Sequence, residues 1–216
     1  MMMNKEIYEY LDEVIPNPRC ELNYTKDYEL LLAVMLSAQT TDKRVNMVTS
    51  VLFQKYPSLE ELKDADVQDI MDIIRPIGTY SKKAKNVIAI ASSLVEHGGV
   101  VPKDRTYLEN LPGVGRKTAN VVLSNLYQVP CIAVDTHVER VSKRLGIARK
   151  NDDVLAVEKK LTKIIPDELL NKMHHQILLF GRYYCTARNP KCEVCKLQEF
   201  CKYYKQSQKK NNKRKV

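Results

Sequence analysis

The chain has 216 residues, of which 44% are hydrophobic and 28% charged, and a formal net charge of +9. That is an ordinary globular composition, long enough for one large domain or two small ones. No apolar run reaches the roughly 18–20 residues of a membrane span; the longest core-like stretch is "LLLAVMLSA" at 30–38.

The charge is unevenly spread. The last twelve residues, "KQSQKKNNKRKV", hold six Lys or Arg and no acid, which leaves the rest of the chain near +3. Net charge alone therefore does not establish a nucleic-acid partner. The N-terminus, "MMMNKEIYEYLDEVIPNP", lacks the charged-then-apolar layout of a signal peptide and reads as a short amphipathic helix with Ile7, Leu11, Val14 and Ile15 on one side. The expected setting is cytosolic, where six cysteines do not form disulfides.

Helical patterns follow one another. "KDYELLLAVMLSA" comes after Thr25, a possible N-cap, and "DKRVNMVTSVLFQKY" carries Val45, Val48, Leu52 and Tyr56 at helical spacing before Pro57. Ser58 and Glu61 fit a capping box. "DVQDIMDIIRP" stops at Pro76, and "SKKAKNVIAIASSLVEHGG" stops at paired glycines. "DTHVERVSKRLG", "VLAVEKKLTKIIP" and "LLNKMHHQILLFGRYYC" continue the pattern, and only "VPCIAV" (129–134) alternates with period two. The prediction is an all-α protein that ends in a disordered basic arm over 205–216, whose charge suits non-specific, salt-sensitive binding to a polyanion.

Between these helices lies "LPGVGRKTANVV" (111–122). It reads as a tight turn leading into a helix with Ala119, Val122, Leu123 and Leu126 to pack. Gly113 and Gly115 permit positive φ and close backbone approach. Amides in such a turn, running into a helix N-terminus, make a seat for phosphate. Lys117 lies in the first turn of that helix. An ordinary lysine is almost wholly ammonium at neutral pH and has no lone pair to offer, whereas burial and a helix N-terminus both favour the free amine. Lys117 is thus either a nucleophile or a phosphate-pairing cation, and this segment accommodates both.

"IAVDTHVERV" places Asp135 where the chain enters a helix, a favoured N-cap position. Its second oxygen can serve a substrate while the first caps, provided it faces that substrate and does not pair with the amine. Four cysteines, Cys185, Cys192, Cys195 and Cys201, follow as C-x6-C-x2-C-x5-C, with Cys20 and Cys131 left over. Four thiols so close suit a tetrahedral metal or an iron–sulfur cluster, and spacing alone leaves zinc and iron open. Arg188, Lys191 and Lys196 give the same segment positive charge suited to a phosphate backbone.

Together, "LPGVGRKTANVV", "IAVDTHVERVSKRLG" and the cysteine pattern resemble the endonuclease III family of DNA repair enzymes, and the resemblance runs from "ELNYTKDYELLLAVMLSAQTTD" to Cys201. It implies a six-helix barrel over about 20–130 with the helix–hairpin–helix at 104–127. A second helical domain, from 1–19 and 131–204, would hold a [4Fe–4S] cluster on the four cysteines, with duplex DNA across the cleft between the two. It further implies that Lys117 is the catalytic lysine and Asp135 the catalytic aspartate. Gln39, in "LSAQTTD", would fill the space left by a flipped nucleotide, and the other DNA contacts would be Thr79, Gly113, Gly115, His137, Arg140, Arg188 and Lys191. The loop "IGTY" places Thr79 where the family commonly has a bulky apolar wedge, and a threonine unstacks bases less than a leucine.

The implied activity is excision of oxidised or ring-saturated pyrimidines, followed by strand cleavage 3′ to the abasic site by β-elimination through a lysine Schiff base. The expected form is a monomer, with no membrane partner, in a bacterial cytoplasm at the nucleoid. Two rivals are an adenine-type mismatch glycosylase and a non-catalytic helix–hairpin–helix module. The first family lacks a lysine at position 117 and carries an additional C-terminal recognition domain. Lys117 together with Asp135 argues against the second.

Overall fold

The structure, a computed structural model, describes residues 3–213. Every regular element among them is helical: α1 (Lys5–Val14), α2 (Asp27–Leu36), α3 (Asp42–Lys55), α4 (Leu59–Lys63), α5 (Val67–Ile73), α6 (Tyr80–Glu96), α7 (Arg105–Asn110), α8 (Arg116–Tyr127), α9 (Thr136–Leu145), α10 (Val154–Ile164), α11 (Asp167–Tyr183) and α12 (Lys202–Lys213). "VPCIAV" joins no strand among the described residues. Cys131, Ile132, Ala133 and Val134 are all buried, so the alternation there marks a core-threading connection and not a sheet.

The chain separates into two compact units, one spanning Glu21–Tyr127 and the other combining the N-terminal segment through Cys20 with everything described from Gln128 onward. At the centre of the 21–127 unit is α2, with every residue from Tyr28 to Leu36 buried. A helix apolar on all sides has to be core, and α3, α6 and α8 pack around it. Helices α4 and α5 lie against α6, and α7 lies against α8.

Most helix starts follow local chemistry. Thr41 caps α3 by accepting the Arg44 amide at 3.4 Å. The Ser58 hydroxyl accepts the Glu61 amide at 3.2 Å while the Glu61 carboxylate accepts the Ser58 amide at 2.9 Å, the expected capping box. The start of α2 differs from expectation, since Thr25 stands one residue outside the cap at Lys26. There the buried Glu29 carboxylate reaches back, accepting the amides of Thr25 at 2.7 Å and Lys26 at 3.1 Å and the Thr25 hydroxyl at 2.9 Å. An acid inside the helix thus does the capping that a threonine before it was expected to do.

In the other unit α1 buries Ile7, Tyr10 and Leu11 in a core shared with Val138 and Val141 of α9, Leu161 of α10, and Ile177 and Phe180 of α11. Asp12 fastens α1 to α11, accepting from Lys172 Nζ and Gln176 Nε2, each at 2.6 Å. Helices α9 and α11 approach so closely at Gly181 that a Cβ there would come within 2.9 Å of His137 Cβ.

The basic arm departs from expectation. From 205 to 213 it is helical, as part of α12, and residues 214–216 lie outside the described residues. Helix α12 packs on α9, with the Tyr203 ring centre 4.3 Å from the guanidinium carbon of Arg144. A run of lysines behind two tyrosines has an anchor that its charge pattern does not advertise.

Candidate active site

The hairpin consists of α7, the turn at Leu111–Gly115 and α8. Leu111 and Val114 are buried and pin the turn to the core, and the Val114 amide donates to the Leu111 carbonyl at 3.1 Å. Gly113 has φ +79°, and a Cβ there would meet Asn86 Nδ2 at 2.4 Å, so the fold itself requires a glycine. Gly115 differs from expectation, since its φ is not positive and nothing lies within 4 Å of where its Cβ would be. Its bare Cα faces open space, which is what a docking backbone needs.

Lys117 is exposed on the first turn of α8. Among the described residues no hydrogen bond or ion pair engages its amine. In the other unit Asp135 is the N-cap of α9, where Oδ1 accepts the amides of His137 at 2.9 Å and Val138 at 2.8 Å. Both donors converge on one oxygen and leave Oδ2 for a second task. These bonds also keep the carboxylate facing the end of the helix that stabilises negative charge.

Gln39 and Thr79, both exposed, adopt left-handed backbone at φ 56° and 55°. Non-glycine residues rarely do so, and such strain clusters at functional positions. Thr79 sits at the N-cap position of α6 without capping it, because its hydroxyl donates to the Gly78 carbonyl at 2.7 Å.

His137 and Arg140 interact with each other, with Arg140 NH2 3.0 Å from His137 Nδ1. The Arg140 guanidinium also donates to the carbonyls of Cys185 at 3.1 Å, Gly181 at 2.7 Å and Thr136 at 3.3 Å. So many internal acceptors make Arg140 a clamp between α9 and the start of the cysteine segment, with few donors to spare for phosphate. Arg188 and Lys191 are exposed, and Lys191 Nζ lies 5.0 Å over the Tyr184 ring. Lys196 is instead paired with Glu13 at 2.5 Å.

The four cysteines expected to act together line one cavity, closed by Tyr10, Phe180 and Leu197. Burial pushes the Cys192 and Cys195 thiols up, and the other three sulfurs push Cys192 further. Among the described residues no three His, Cys, Asp or Glu side chains converge closely enough for a single metal ion. Four cysteine thiols lining one cavity are the donor set that a thiolate-ligated iron–sulfur cluster takes. Arg144 frames this site, with NH1 3.3 Å from Cys185 Sγ and donating to the Thr186 carbonyl at 2.7 Å, and NH2 donating to Ala187 at 3.1 Å.

Sequence reasoning passed over Lys83, Asn86 and Arg144. Lys83 did carry a signal. Extending the apolar period of α6 (Val87, Ile90, Leu94) back by one turn lands on it, a core position holding a lysine.

Comparisons with known proteins agree with this geometry. The pattern of HhH-GPD superfamily base excision DNA repair proteins matches residues 32–167, and that of the iron–sulfur binding domain of endonuclease III matches residues 185–201. Endonuclease III of Bacillus subtilis (strain 168) is 48% identical over 206 residues, covering 94% of each chain. A trapped endonuclease III–DNA covalent intermediate, an estranged-adenine complex, superposes with a TM-score of 0.90 at 47% identity, covering 96% of this chain and 100% of that one. A non-covalent endonuclease III–DNA complex gives the same TM-score at 46% identity and the same coverage. The chain belongs to the endonuclease III family of the HhH-GPD superfamily, DNA glycosylases with abasic-site lyase activity that work in base-excision repair and carry a [4Fe–4S] cluster.

Proposed function

We propose that this chain excises oxidised or ring-saturated pyrimidines from duplex DNA and cuts the strand at the resulting site, with Lys117 as nucleophile and Asp135 as its electrostatic partner. The observation that carries this reading is the place of Lys117. Among the described residues its amine has no partner, and it stands in the first turn of α8, two residues after Gly115, whose bare Cα faces outward.

A duplex seated on the Gly113–Gly115 amides brings the sugar to the amine and excludes water from it. The free amine attacks C1′ of the extruded nucleotide, and the base departs with the glycosidic electron pair and takes up a proton. Asp135 Oδ2 stabilises the positive charge that develops on the sugar and relays protons. Ring opening gives a Schiff base between Lys117 and C1′. Loss of a C2′ proton then expels the 3′ phosphate, and water frees the lysine. Gln39 and Thr79 occupy the space opened in the stack, and Arg188, Lys191 and His137 contact the backbone, with Arg140 acting through His137.

Cys185, Cys192, Cys195 and Cys201 would hold the [4Fe–4S] cluster, and their ligation would fix the basic segment that carries Arg188 and Lys191. The enzyme acts as a monomer in the bacterial cytoplasm, at the nucleoid. The trapped covalent intermediate of a related endonuclease III with DNA supports a reading in which the enzyme bonds covalently to its substrate.

The test is borohydride trapping on an abasic-site duplex. Wild type gives a covalent adduct, whereas Lys117→Ala gives no adduct and no strand cleavage while its DNA affinity stays within about tenfold, as expected when a nucleophile and not a binding group is lost. A fully active Lys117→Ala protein overturns the assignment. A panel of duplexes, each with one damaged base, tests the substrate class, and excision confined to purine lesions would overturn that part.

A further inference from the structure

Lys83 is the only lysine among the buried polar residues of the described chain, at 4% exposure. It faces no carboxylate. Its Nζ donates to the main-chain carbonyls of Leu36 and Ala38, each at 2.8 Å, and to Thr40 Oγ1 at 3.3 Å. An ammonium has three protons, and all three are directed at the short segment that ends α2. Leu36 is the last residue of α2, so its carbonyl has no partner inside the helix and lies at the negative end of the helix dipole. The buried charge is therefore matched by helix-end carbonyls and not by an ion pair. Burial still pulls the Lys83 pKa below the usual lysine range.

The Lys83 bonds to Ala38 and Thr40 flank Gln39. Through its amide, Lys83 also donates to the Thr79 carbonyl at 3.1 Å. That amide bond is the first main-chain bond of α6, which any residue at 83 but proline would make, whereas the side-chain bonds are specific to lysine and tie the turn around Gln39 to the helix that begins beside Thr79. Left-handed backbone of this kind persists only where its surroundings enforce it.

We propose that Lys83 is a positioning residue for lesion recognition, locking Gln39 and Thr79 to each other so that their side chains enter a duplex as a fixed pair. This rests on the assignment of both residues to DNA contact made above. Without the tether the two turns move independently, and inserting them together costs order that the bonded pair has already given up. The loss falls on removing a base from the stack. It spares cleavage at a site where the base is already gone.

The experiment compares two single-turnover reactions: excision of a ring-saturated thymine from a duplex, and cleavage of a duplex with a preformed abasic site. Lys83→Met keeps the stem and removes the donors. Its excision rate falls by about tenfold to a hundredfold, the scale of a misplacement near 1 Å, whereas abasic-site cleavage stays within about threefold, and 2-aminopurine next to the lesion loses the fluorescence rise that reports unstacking. Thr40→Val, which removes one acceptor and leaves the lysine buried, shifts the same ratio in the same direction and carries the test if Lys83→Met does not fold.

Gln39→Ala and Thr79→Ala complete the comparison. Their effects on excision are non-additive with Lys83 present and additive in the Lys83→Met background. Equal losses in both reactions, or coupling that survives Lys83→Met, overturn the proposal and leave Lys83 a fold residue. No effect of Gln39→Ala or Thr79→Ala in the wild-type background shows instead that the underlying DNA-contact assignment has failed.

Discussion

Gly113 and Gly115 stand two residues apart in one turn, yet each is glycine for its own reason. Gly113 must accommodate a left-handed φ and the Asn86 amide, whereas Gly115 has ordinary φ and empty space beside it. Gly113→Ala therefore damages the fold, costing upwards of about 1 kcal/mol in chemical denaturation. Gly115→Ala leaves the unfolding midpoint in place and weakens binding to an abasic-site duplex, as read by fluorescence anisotropy. Equal destabilisation by the two substitutions would remove the argument that Gly115 serves a ligand. The motif's two glycines are legible in the letters, but this division of labour is not, because it depends on a side chain of α6 packed beneath the turn. Lys83 makes the same point: its acceptors lie 43 to 47 residues away and two of them are main-chain carbonyls, which no letter encodes.

Among the elements, α6 organises its unit. Thr79 stands at its start, Lys83 one turn in reaches the end of α2, and Asn86 a turn later supports Gly113. Three regions assigned to DNA are thereby set along one helix, whose rigidity fixes their spacing better than a loop can. In the other unit the comparable fastening is Asp12 between α1 and α11. Lys172 and Gln176 hold its carboxyl below the usual carboxylate range. A depressed folded-state pKa contributes stability above the unfolded value, and that stability fades as pH falls through the folded one. Asp12→Asn therefore costs roughly 0.5–1 kcal/mol at pH 7, a modest figure because the pair is half exposed, and the gap to wild type closes below about pH 4. Urea denaturation across that range checks the sign. Helices were legible wherever the apolar period and a cap lie close in sequence, as at Ser58 and Glu61. They were misread wherever the deciding partner is distant, as for α12, anchored through Tyr203 on Arg144.

For the whole molecule, the division into units predicts how iron loss spreads. The cysteines belong to the unit that includes α1 and α9–α12, and that unit's core residues Leu197, Cys185 and Cys195 adjoin the cluster cavity. Chelating the iron raises amide hydrogen exchange in α1 and α9–α12 and leaves α2–α8 protected to wild-type levels. A uniform rise throughout the chain would show that the units do not unfold separately. The chemistry-bearing motifs and the helical class were open to sequence reading because their spacing is local. The discontinuous unit was implied only by family resemblance, because nothing in residues 1–20 names a partner beyond residue 128.

That discontinuity orders events on the ribosome. The Asp12–Gln176 hydrogen bond joins residues 164 positions apart, so α1 leaves the exit tunnel long before its partner is synthesised, whereas the 21–127 unit draws on one continuous stretch of chain. The four clustered cysteines follow the 21–127 unit along the chain, so a cluster can be loaded only after that unit's residues have been made.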